Sequence, residues 1–475
     1  MISQRATGPR SDSAAPLRRL GRSAVIVPLA AVLGMAEPAF AQPLGGIVSG
    51  LGQTIGGALG QPLGATGRMV QPLTQDGFDE LDQATGDVRS LAQQRALRLH
   101  NLVRANPKLL DLDEHGAPVV RSQVLAISPG EGALRIAEDA GFTSLGRQQL
   151  DELGLSLIVL EAPKGMSTKQ ALKQLRKLDP GGRYDYNHLY SVSGRAAAPG
   201  GAAGSEAART DPGAARGLRL GLIDGGVDAG HPALAGAAIQ QRPFAPGGVI
   251  ARVHGTAVAS LMVGQGGRFR GVAPGAALFA ADVYGSTPAG GAADALVRAL
   301  AWMAAAHVQV VNISLVGPPN VALEAAIRGL TDRGILVVAA VGNDGPAAPP
   351  LYPAAYLDVL AATGVDAHRK VLIEASRGTH VDFAAPGADM AAAGPGASFV
   401  AVRGTSFAAP IVAGELALRL HGSGPDAARE AVAELGREAV DLGPKGRDRT
   451  YGRGLVGEQV RTPPGAVGAK STPIS

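Results

Sequence analysis

The chain has 475 residues, which allows two or three domains, and its formal net charge is only +4. It contains no cysteine, which excludes disulfides and thiolate metal sites. Between residues 217 and 460 there are 19 Lys and Arg against 20 Asp and Glu, so the surface has no basic footprint and we expect no nucleic-acid partner.

The first 41 residues show the three parts of a secretory signal peptide. Three arginines within residues 18–22 precede an apolar stretch over residues 24–35, and the sequence Ala-Phe-Ala follows at 39–41. The apolar stretch is about twelve residues long, too short to span a bilayer, which needs roughly 20. We therefore expect export to the periplasm or the extracellular space, with no membrane span after signal removal. An N-terminal anchor helix is the alternative.

Residues 42–194 divide into a spacer and a small domain. Residues 42–118 form a Gly-rich spacer followed by a helical segment over 87–104. Residues 119–194 alternate between strand and helix patterns. The predicted strands are 119–127, 155–160 and 183–190, and the predicted helices are 132–141 and one capped by Ser167 with Gln170 in the capping-box position. This order predicts a small α+β domain, ferredoxin-like if residues 143–149 add a strand.

The larger part of the chain predicts a doubly wound α/β fold. Residues 195–216 are rich in Ala, Gly and Pro and are typical of a linker. Within residues 217–460, short apolar runs alternate with helical segments, which favours a parallel sheet covered by helices on both faces. The runs are 218–223, 277–283, 308–313, 335–341 and 359–365. Residues 461–475 are expected to be a disordered tail.

Polar residues follow several of these runs, where a parallel sheet collects its functional groups. Asp224 ends the first run and could orient a histidine; Asp228, four residues on, is a weaker candidate for this role. His254 precedes Gly255-Thr256 at the start of a helical pattern and could serve as a general base. Taken alone, Asp224 is more often a helix cap, and a histidine is more often an ordinary surface residue.

Two further residues complete a catalytic constellation. Ser406 in Gly-Thr-Ser-Phe-Ala-Ala-Pro lies at a helix start and becomes nucleophilic if a base takes its proton. Asn343, directly after a strand, could donate to an oxyanion through its amide. The alternatives are a helix start capped by Thr405 and an ordinary Asn-Asp-Gly turn. Asp224, His254 and Ser406, in that order, predict a serine hydrolase.

These motifs resemble the subtilisin-like serine proteases, the subtilase family, over about residues 217–460. The resemblance implies an endopeptidase with a catalytic Asp224, His254 and Ser406, an oxyanion donor at Asn343, and an acyl-enzyme intermediate. It also implies that Ser314, Leu315 and Val316 bind an extended substrate chain. The family usually has glycine where Val316 stands, so we hypothesise a narrowed pocket that favours small or medium apolar side chains. The alternative for this segment is an ordinary buried strand.

The resemblance carries expectations about cofactors and partners as well. Residues 263–272 offer no Asp or Asn oxygen, so we expect no metal and no other cofactor. Residues 119–194 resemble, more weakly, the family's propeptide, which implies a zymogen that cuts itself between about residues 190 and 217. A permanent docking domain is the alternative for this unit. The expected partners are therefore a polypeptide substrate and the chain's own propeptide-like domain, and we expect a monomer.

Two rival functions remain at this point. A catalytically silent binding protein could use the same fold. An esterase or lipase could use the same three residue types, but those enzymes usually carry serine in a Gly-x-Ser-x-Gly elbow and place the histidine last. Here the histidine precedes the serine and the elbow is absent.

Overall fold

The computed structural model describes residues 91–192, 195–197 and 215–468, and all of them belong to one compact unit. The predicted signal peptide, the Gly-rich spacer and most of the predicted linker lie outside the described residues. Within the described ranges, no helix is both long and apolar enough to cross a membrane.

Residues 91–192, called here the N-terminal module, contain an antiparallel sheet and three helices. Its elements are α1 (Leu91–Ala105), β1 (Leu110–Leu112), β2 (Pro118–Ile127), α2 (Glu131–Asp139), β3 (Thr143–Leu150), β4 (Leu155–Glu161), α3 (Thr168–Leu178), β5 (Arg183–His188) and β6 (Ser191–Val192). The long strands lie in the order β3-β4-β2-β5, with β1 beside the start of β2. This is the ferredoxin-like order, and residues 143–149 supply the extra strand that it requires. The capping box of Ser167 and Gln170 at α3 is also present.

Residues 215–468, the C-terminal module, contain a parallel seven-stranded sheet. Strand β7 (Arg195–Ala197) precedes this module in the chain. The first strands within it are β8 (Arg219–Asp224) and β9 (Ala238–Pro243). They are followed by α4 (Val253–Val263), β10 (Gln265–Gly266), β11 (Phe269–Arg270), β12 (Ala277–Asp282), α5 (Ala293–Ala305), β13 (Val310–Ile313), β14 (Leu315–Val316), α6 (Val321–Thr331) and β15 (Leu336–Ala340). The last elements are β16 (Leu360–Val365), β17 (Val381–Pro386), β18 (Met390–Ala393), β19 (Phe399–Arg403), α7 (Thr405–Leu418) and α8 (Gly424–Glu438). The sheet order is β17-β16-β15-β13-β8-β12-β9.

The central strands of this sheet are largely apolar because both faces are buried. Ile223 packs in a core layer with α5 and α6, whereas its neighbour Leu222 packs in the opposite layer with α4 and α7. Neighbouring residues of a strand point to opposite faces, so a sheet covered on both sides needs apolar residues at every position. The predicted doubly wound fold with helices on both faces is confirmed.

The central strands β2 and β4 of the N-terminal module are also largely buried on both faces, but by different parts of the chain. Val124 and Ile158 face the module's own helices α2 and α3. Leu125 and Leu157, one position along their strands, join the core layer that contains α5 and α6 of the C-terminal module. The two modules therefore share one hydrophobic core. Helices α5 and α6 cover the face of the N-terminal sheet that the module's own helices leave uncovered.

Polar contacts fix this packing at the helix N-termini, where backbone N–H groups lack partners within the helix. Asp185 Oδ2 accepts a hydrogen bond from the Val321 N–H at the start of α6, at 2.8 Å. Asn187 Oδ1 accepts from the Asp294 N–H at the start of α5, at 3.1 Å, and its Nδ2 donates to Asp294 Oδ1. Strand β5 thus caps both helices that its module covers.

The structure differs from the sequence prediction at the C-terminal end and in the outer strands. Residues 461–468, predicted as part of a disordered tail, continue as packed chain: Thr462 is buried and its carbonyl accepts from the Ala391 N–H at 2.8 Å. This segment is rich in proline and glycine, so its sequence shows no helix or strand periodicity, and the prediction of disorder was wrong. The strands β9, β17, β18 and β19 were not predicted, and β9 is largely exposed and polar.

We predict that Asn320 stabilises the junction of the two modules. Its Oδ1 accepts from the N–H groups of Ala322 and Leu323, and its Nδ2 donates to the Tyr186 carbonyl at 2.9 Å. Asn320→Ala should lower the free energy of unfolding by about 1–3 kcal/mol. Asn320→Ser should lower it less, because its hydroxyl can still cap α6. Thermal unfolding in a Ser406→Ala background measures both, and equal losses would contradict the cap.

Candidate active site

The carboxylate of Asp224 lies against the ring of His254. Asp224 ends the central strand β8, and its side chain is 1% exposed. His254 Nδ1 lies 2.9 Å from Asp224 Oδ2 and 3.0 Å from Oδ1. Since both carboxylate oxygens can only accept, Nδ1 carries the proton in this contact. The contact therefore selects one ring tautomer and leaves Nε2 as the basic nitrogen when the ring is neutral.

The close approach of His254 to Asp224 depends on a glycine at the start of α4. A Cβ added to Gly255 would lie 2.4 Å from the carbonyl oxygen of Gly225, which follows Asp224 directly. Any larger residue at position 255 would push the helix away from the end of β8. The sequence His-Gly-Thr thus brings the first turn of α4 onto the loop that carries the aspartate.

Ser406 lies at the start of α7, next to this pair. The ring of Phe407, the following residue, lies 5.4 Å from the ring of His254 between centroids. Gly404, just before the helix, has φ 140° and ψ 162°, a conformation that side chains rarely tolerate. Ser406 is the second residue of the helix, where the helix dipole favours negative charge.

Asn343 is clamped to the same helix start. Its Oδ1 accepts a hydrogen bond from the Thr405 N–H at 3.1 Å, and Thr405 Oγ1 accepts from the Gly342 N–H at 3.2 Å. Because Oδ1 receives the backbone proton, the amide orientation of Asn343 is fixed and its Nδ2 remains as a donor. The loop after β15 and the start of α7 thus place an amide donor beside the serine.

Ser314 links the end of β13 to the serine backbone. Its Oγ donates to the Ser406 carbonyl at 2.9 Å and accepts from Asn312 Nδ2 at 2.9 Å. Ser406 Oγ in turn lies 3.3 Å from the Ser314 carbonyl, as its donor. All three residues are fully buried, so these hydrogen bonds are shielded from water. They hold the start of β14 against the residue that carries the hydroxyl.

An extended segment of the N-terminal module lies in the cleft as a strand. In β6, Ser191 pairs with Val316 and Val192 pairs with Leu315, in an antiparallel arrangement with β14. On its other side, this segment meets residues 291 and 292: the Tyr190 N–H donates to the Gly291 carbonyl at 2.8 Å. The chain itself therefore occupies the position between two edges that an extended peptide could take.

Tyr190 anchors this strand in a pocket of the C-terminal module. It is fully buried, and its hydroxyl donates to the Pro318 carbonyl at 2.8 Å. Burial raises the pKa of the Tyr190 hydroxyl well above its ordinary value, so the hydroxyl stays a donor. Tyr284 donates to the Tyr190 carbonyl at 3.1 Å, and a Cβ on Gly317 would lie 2.5 Å from the Tyr190 ring.

Strand β7 pairs with a second segment next to Ser406. It lies antiparallel to β19, with residue 195 opposite residue 403. Residue 403 is three positions before Ser406, whereas β14 begins one position after Ser314. The described segments before and after residues 193 and 194 thus pair with two different neighbours of the serine.

Helix α1 also reaches the cleft, through Arg95. Arg95 Nη1 lies 3.4 Å from Asp344 Oδ2, and Arg95 Nη2 donates to the Val316 carbonyl at 3.3 Å. The side chains of Arg95 and Asp344 are only 15% and 12% exposed. Burial lowers the pKa of Arg95 and raises the pKa of Asp344, and the attraction between the two groups opposes both shifts.

The structure brings the seven predicted site residues together around one cleft. Asp228, the weaker acidic candidate, instead closes a turn by accepting from the Gly230 N–H. Sequence reasoning missed Tyr190, Tyr284, Arg95 and Asp344. Asp344 follows Asn343 directly, so its place after a strand could have drawn attention to it; the others carry no local signal.

Comparisons with known proteins agree on one family. The model of the subtilase family, peptidase S8, matches residues 215–454. Subtilisin Savinase of Lederbergia lenta is 32% identical over 252 residues, which are 52% of this chain and 91% of that protein. Subtilisin E of Bacillus subtilis (strain 168) is 31% identical over 254 residues, which are 51% of this chain and 65% of that protein.

A solved structure extends the likeness beyond the matched region. The crystal structure of fervidolysin from Fervidobacterium pennivorans, described as a keratinolytic enzyme related to subtilisin, superposes with a TM-score of 0.61. The match covers 77% of this chain and 63% of that chain, at 19% sequence identity. At this identity the likeness concerns the fold alone, but it includes more of the chain than the family model does.

Proposed function

Because the chain belongs to the subtilase family, and is a serine-type endopeptidase acting on polypeptides, we propose that Ser406 is its nucleophile. His254 is the general base, and Asp224 orients it and stabilises its protonated form. The observation that carries this assignment is the buried Asp224 carboxylate on His254 Nδ1, with the ring beside the helix start that bears Ser406.

The reaction follows from these positions. Ser406 Oγ attacks the peptide carbonyl carbon while His254 Nε2 takes its proton, and His254 then gives this proton to the leaving amine. Asn343 Nδ2 and the backbone N–H of Ser406 stabilise the negative oxygen that forms. A water molecule, activated by His254, hydrolyses the acyl-enzyme and frees Ser406.

The substrate chain binds as a strand between β14 and residues 291–292. Residues Ser314, Leu315 and Val316 supply one edge, which is the position that β6 takes in the structure. A Cβ on Gly342 would lie 3.6 Å from Val316 Cγ1, so the valine side chain lies close to the loop of Asn343. This closeness supports the narrowed pocket hypothesised from Val316.

The N-terminal module acts as a propeptide in this proposal. It covers α5 and α6, and its last residues lie in the cleft where a substrate would bind. This placement supports a zymogen, because the chain blocks its own site until it is cut. A permanent docking domain would not need to send an extended strand past the nucleophile.

The proposal includes location and assembly. The signal-peptide pattern over residues 1–41 supports export to the periplasm or the extracellular space. A precursor that blocks its own site would not cleave other proteins of the cell before it is exported. The single chain already holds every residue assigned to the reaction, so a monomer suffices for activity.

We expect a fluorophosphonate probe to label Ser406 once the N-terminal module is removed. Labelling should disappear in Ser406→Ala and fall by more than about 10³-fold in rate in His254→Ala, because the hydroxyl then lacks its base. Mass spectrometry of the labelled peptide identifies the residue. Absence of labelling at neutral pH, or labelling elsewhere, would contradict the assignment and favour a silent binding protein.

Asn343→Ala separates the oxyanion role from substrate binding. It should lower kcat by about 10²- to 10³-fold, the usual cost of losing one oxyanion donor, and leave KM nearly unchanged. Peptide hydrolysis by the processed enzyme measures both constants. A rise in KM with kcat unchanged would instead assign Asn343 to ground-state binding.

We expect the first self-cleavage between Val192 and Arg195. These residues end β6 and begin β7, the two described strands that pair with segments next to Ser406. N-terminal sequencing and intact-mass measurement of the purified chain should place the new end at residue 193, 194 or 195. A first cut outside residues 190–197, or an equal cut in Ser406→Ala, would contradict the proposal.

A further inference from the structure

Arg95 contacts the cleft but takes no part in the proposed reaction. Helix α1 precedes the sheet of the N-terminal module and contributes no strand to the cleft. Its arginine nevertheless reaches two groups of the C-terminal module, the Asp344 carboxylate and the Val316 carbonyl, which are 249 and 221 residues away in the chain. A planar guanidinium can serve both at once because its N–H groups diverge.

Both groups belong to the walls around the nucleophile. Val316 ends β14, the strand that pairs with β6. Asp344 directly follows the proposed oxyanion residue Asn343. The two walls are adjacent, since a Cβ on Gly342 would contact the Val316 side chain at 3.6 Å. Arg95 thus bridges the strand that binds substrate and the loop that stabilises the oxyanion.

The ion pair is a strong restraint because both charges are largely buried. Burial alone disfavours the charged form of Arg95 and of Asp344, and each charge offsets this penalty for the other. Removing one partner would leave the other charge buried without compensation. The contact should therefore affect how firmly α1 stays on the cleft.

Apolar side chains contribute little to the attachment of helix α1. Leu102 is its one buried side chain, and it joins a small cluster with Leu110, Val120 and Leu189. Leu97 is 59% exposed. Polar contacts, among them that of Arg95, are therefore needed to hold the N-terminal half of the helix.

We propose that Asp344 and the Val316 carbonyl form a guanidinium-binding site, filled by Arg95, through which α1 acts as a second inhibitory segment. The first segment is the strand of residues 189–192. This proposal rests on the proposed zymogen function, since it concerns what covers the same cleft. After self-cleavage, the N-terminal fragment holds the enzyme through both the strand and the arginine.

The test measures the dissociation constant of the self-cleaved complex, from the peptidase activity that returns on serial dilution. Arg95→Gln should raise this constant about tenfold or more, because a charge-assisted contact is lost. Arg104→Gln is the matched control: Arg104 is exposed on the same helix, so the constant should not change. An Arg95→Gln complex that dissociates like the wild type would overturn the proposal.

A double-variant cycle tests the partner. Asp344→Asn should also raise the dissociation constant, and adding Arg95→Gln to it should raise the constant by a smaller factor than Arg95→Gln does alone, because the ion pair is already broken and only the Val316 contact is left to lose. Fully multiplicative effects of the two substitutions would overturn the assignment of Asp344. The returned activity is expressed as a fraction of the activity of each free enzyme, which is measured separately, so a change in kcat does not alter the constant.

A second measurement does not depend on catalysis. In the intact Ser406→Ala chain, amide hydrogen exchange of residues 92–105 should be faster in Arg95→Gln and unchanged in Arg104→Gln. Equal exchange in all variants would overturn the helix contact, even if the enzyme is active. If exchange is faster in Arg95→Gln but the chain that retains Ser406 never shows peptidase activity, the contact is supported and only the proposed function is contradicted.

Discussion

The architecture depends on the burial of one sheet face. The antiparallel sheet of the N-terminal module has two helices for one apolar face and none for the other, which carries Leu125 and Leu157. Exposure of that face would cost roughly 25 cal/mol per Å² of apolar surface. Helices α5 and α6 of the C-terminal module cover it, and strand β5 caps the N-termini of both. Because β5 ends at this junction, the residues that follow it enter the cleft.

The chemistry collects at one edge of the parallel sheet. Asp224 ends β8, Ser314 follows β13 and Asn343 follows β15, so neighbouring strands deliver three polar groups to one place. His254 and Ser406 come from the first turns of two helices that pack on the same face, α4 and α7. The sheet fixes the positions of Asp224, Ser314 and Asn343, and the helix starts bring the two groups proposed to transfer the proton.

The sequence predicts these residues because each follows a local rule. Apolar runs locate the strands, polar residues at their ends locate the edge, and glycine marks the close approach at His254. The contacts of Tyr190 and Arg95 follow no such rule, since their partners lie about 100 to 250 residues away in the chain. The packing of residues 461–468 was missed for a similar reason: proline and glycine give no period, and burial there comes from β18 and β19.

The central claim is that the chain occupies its own catalytic cleft, and the concentration dependence of self-cleavage tests it most directly. If residues 189–192 and 195–197 are bound to the same molecule, as in the structure, cleavage is unimolecular. Its first-order rate constant should then stay the same when purified full-length protein is diluted a hundredfold. A rate constant that falls in proportion to concentration would show that one molecule cuts another, and would contradict the account.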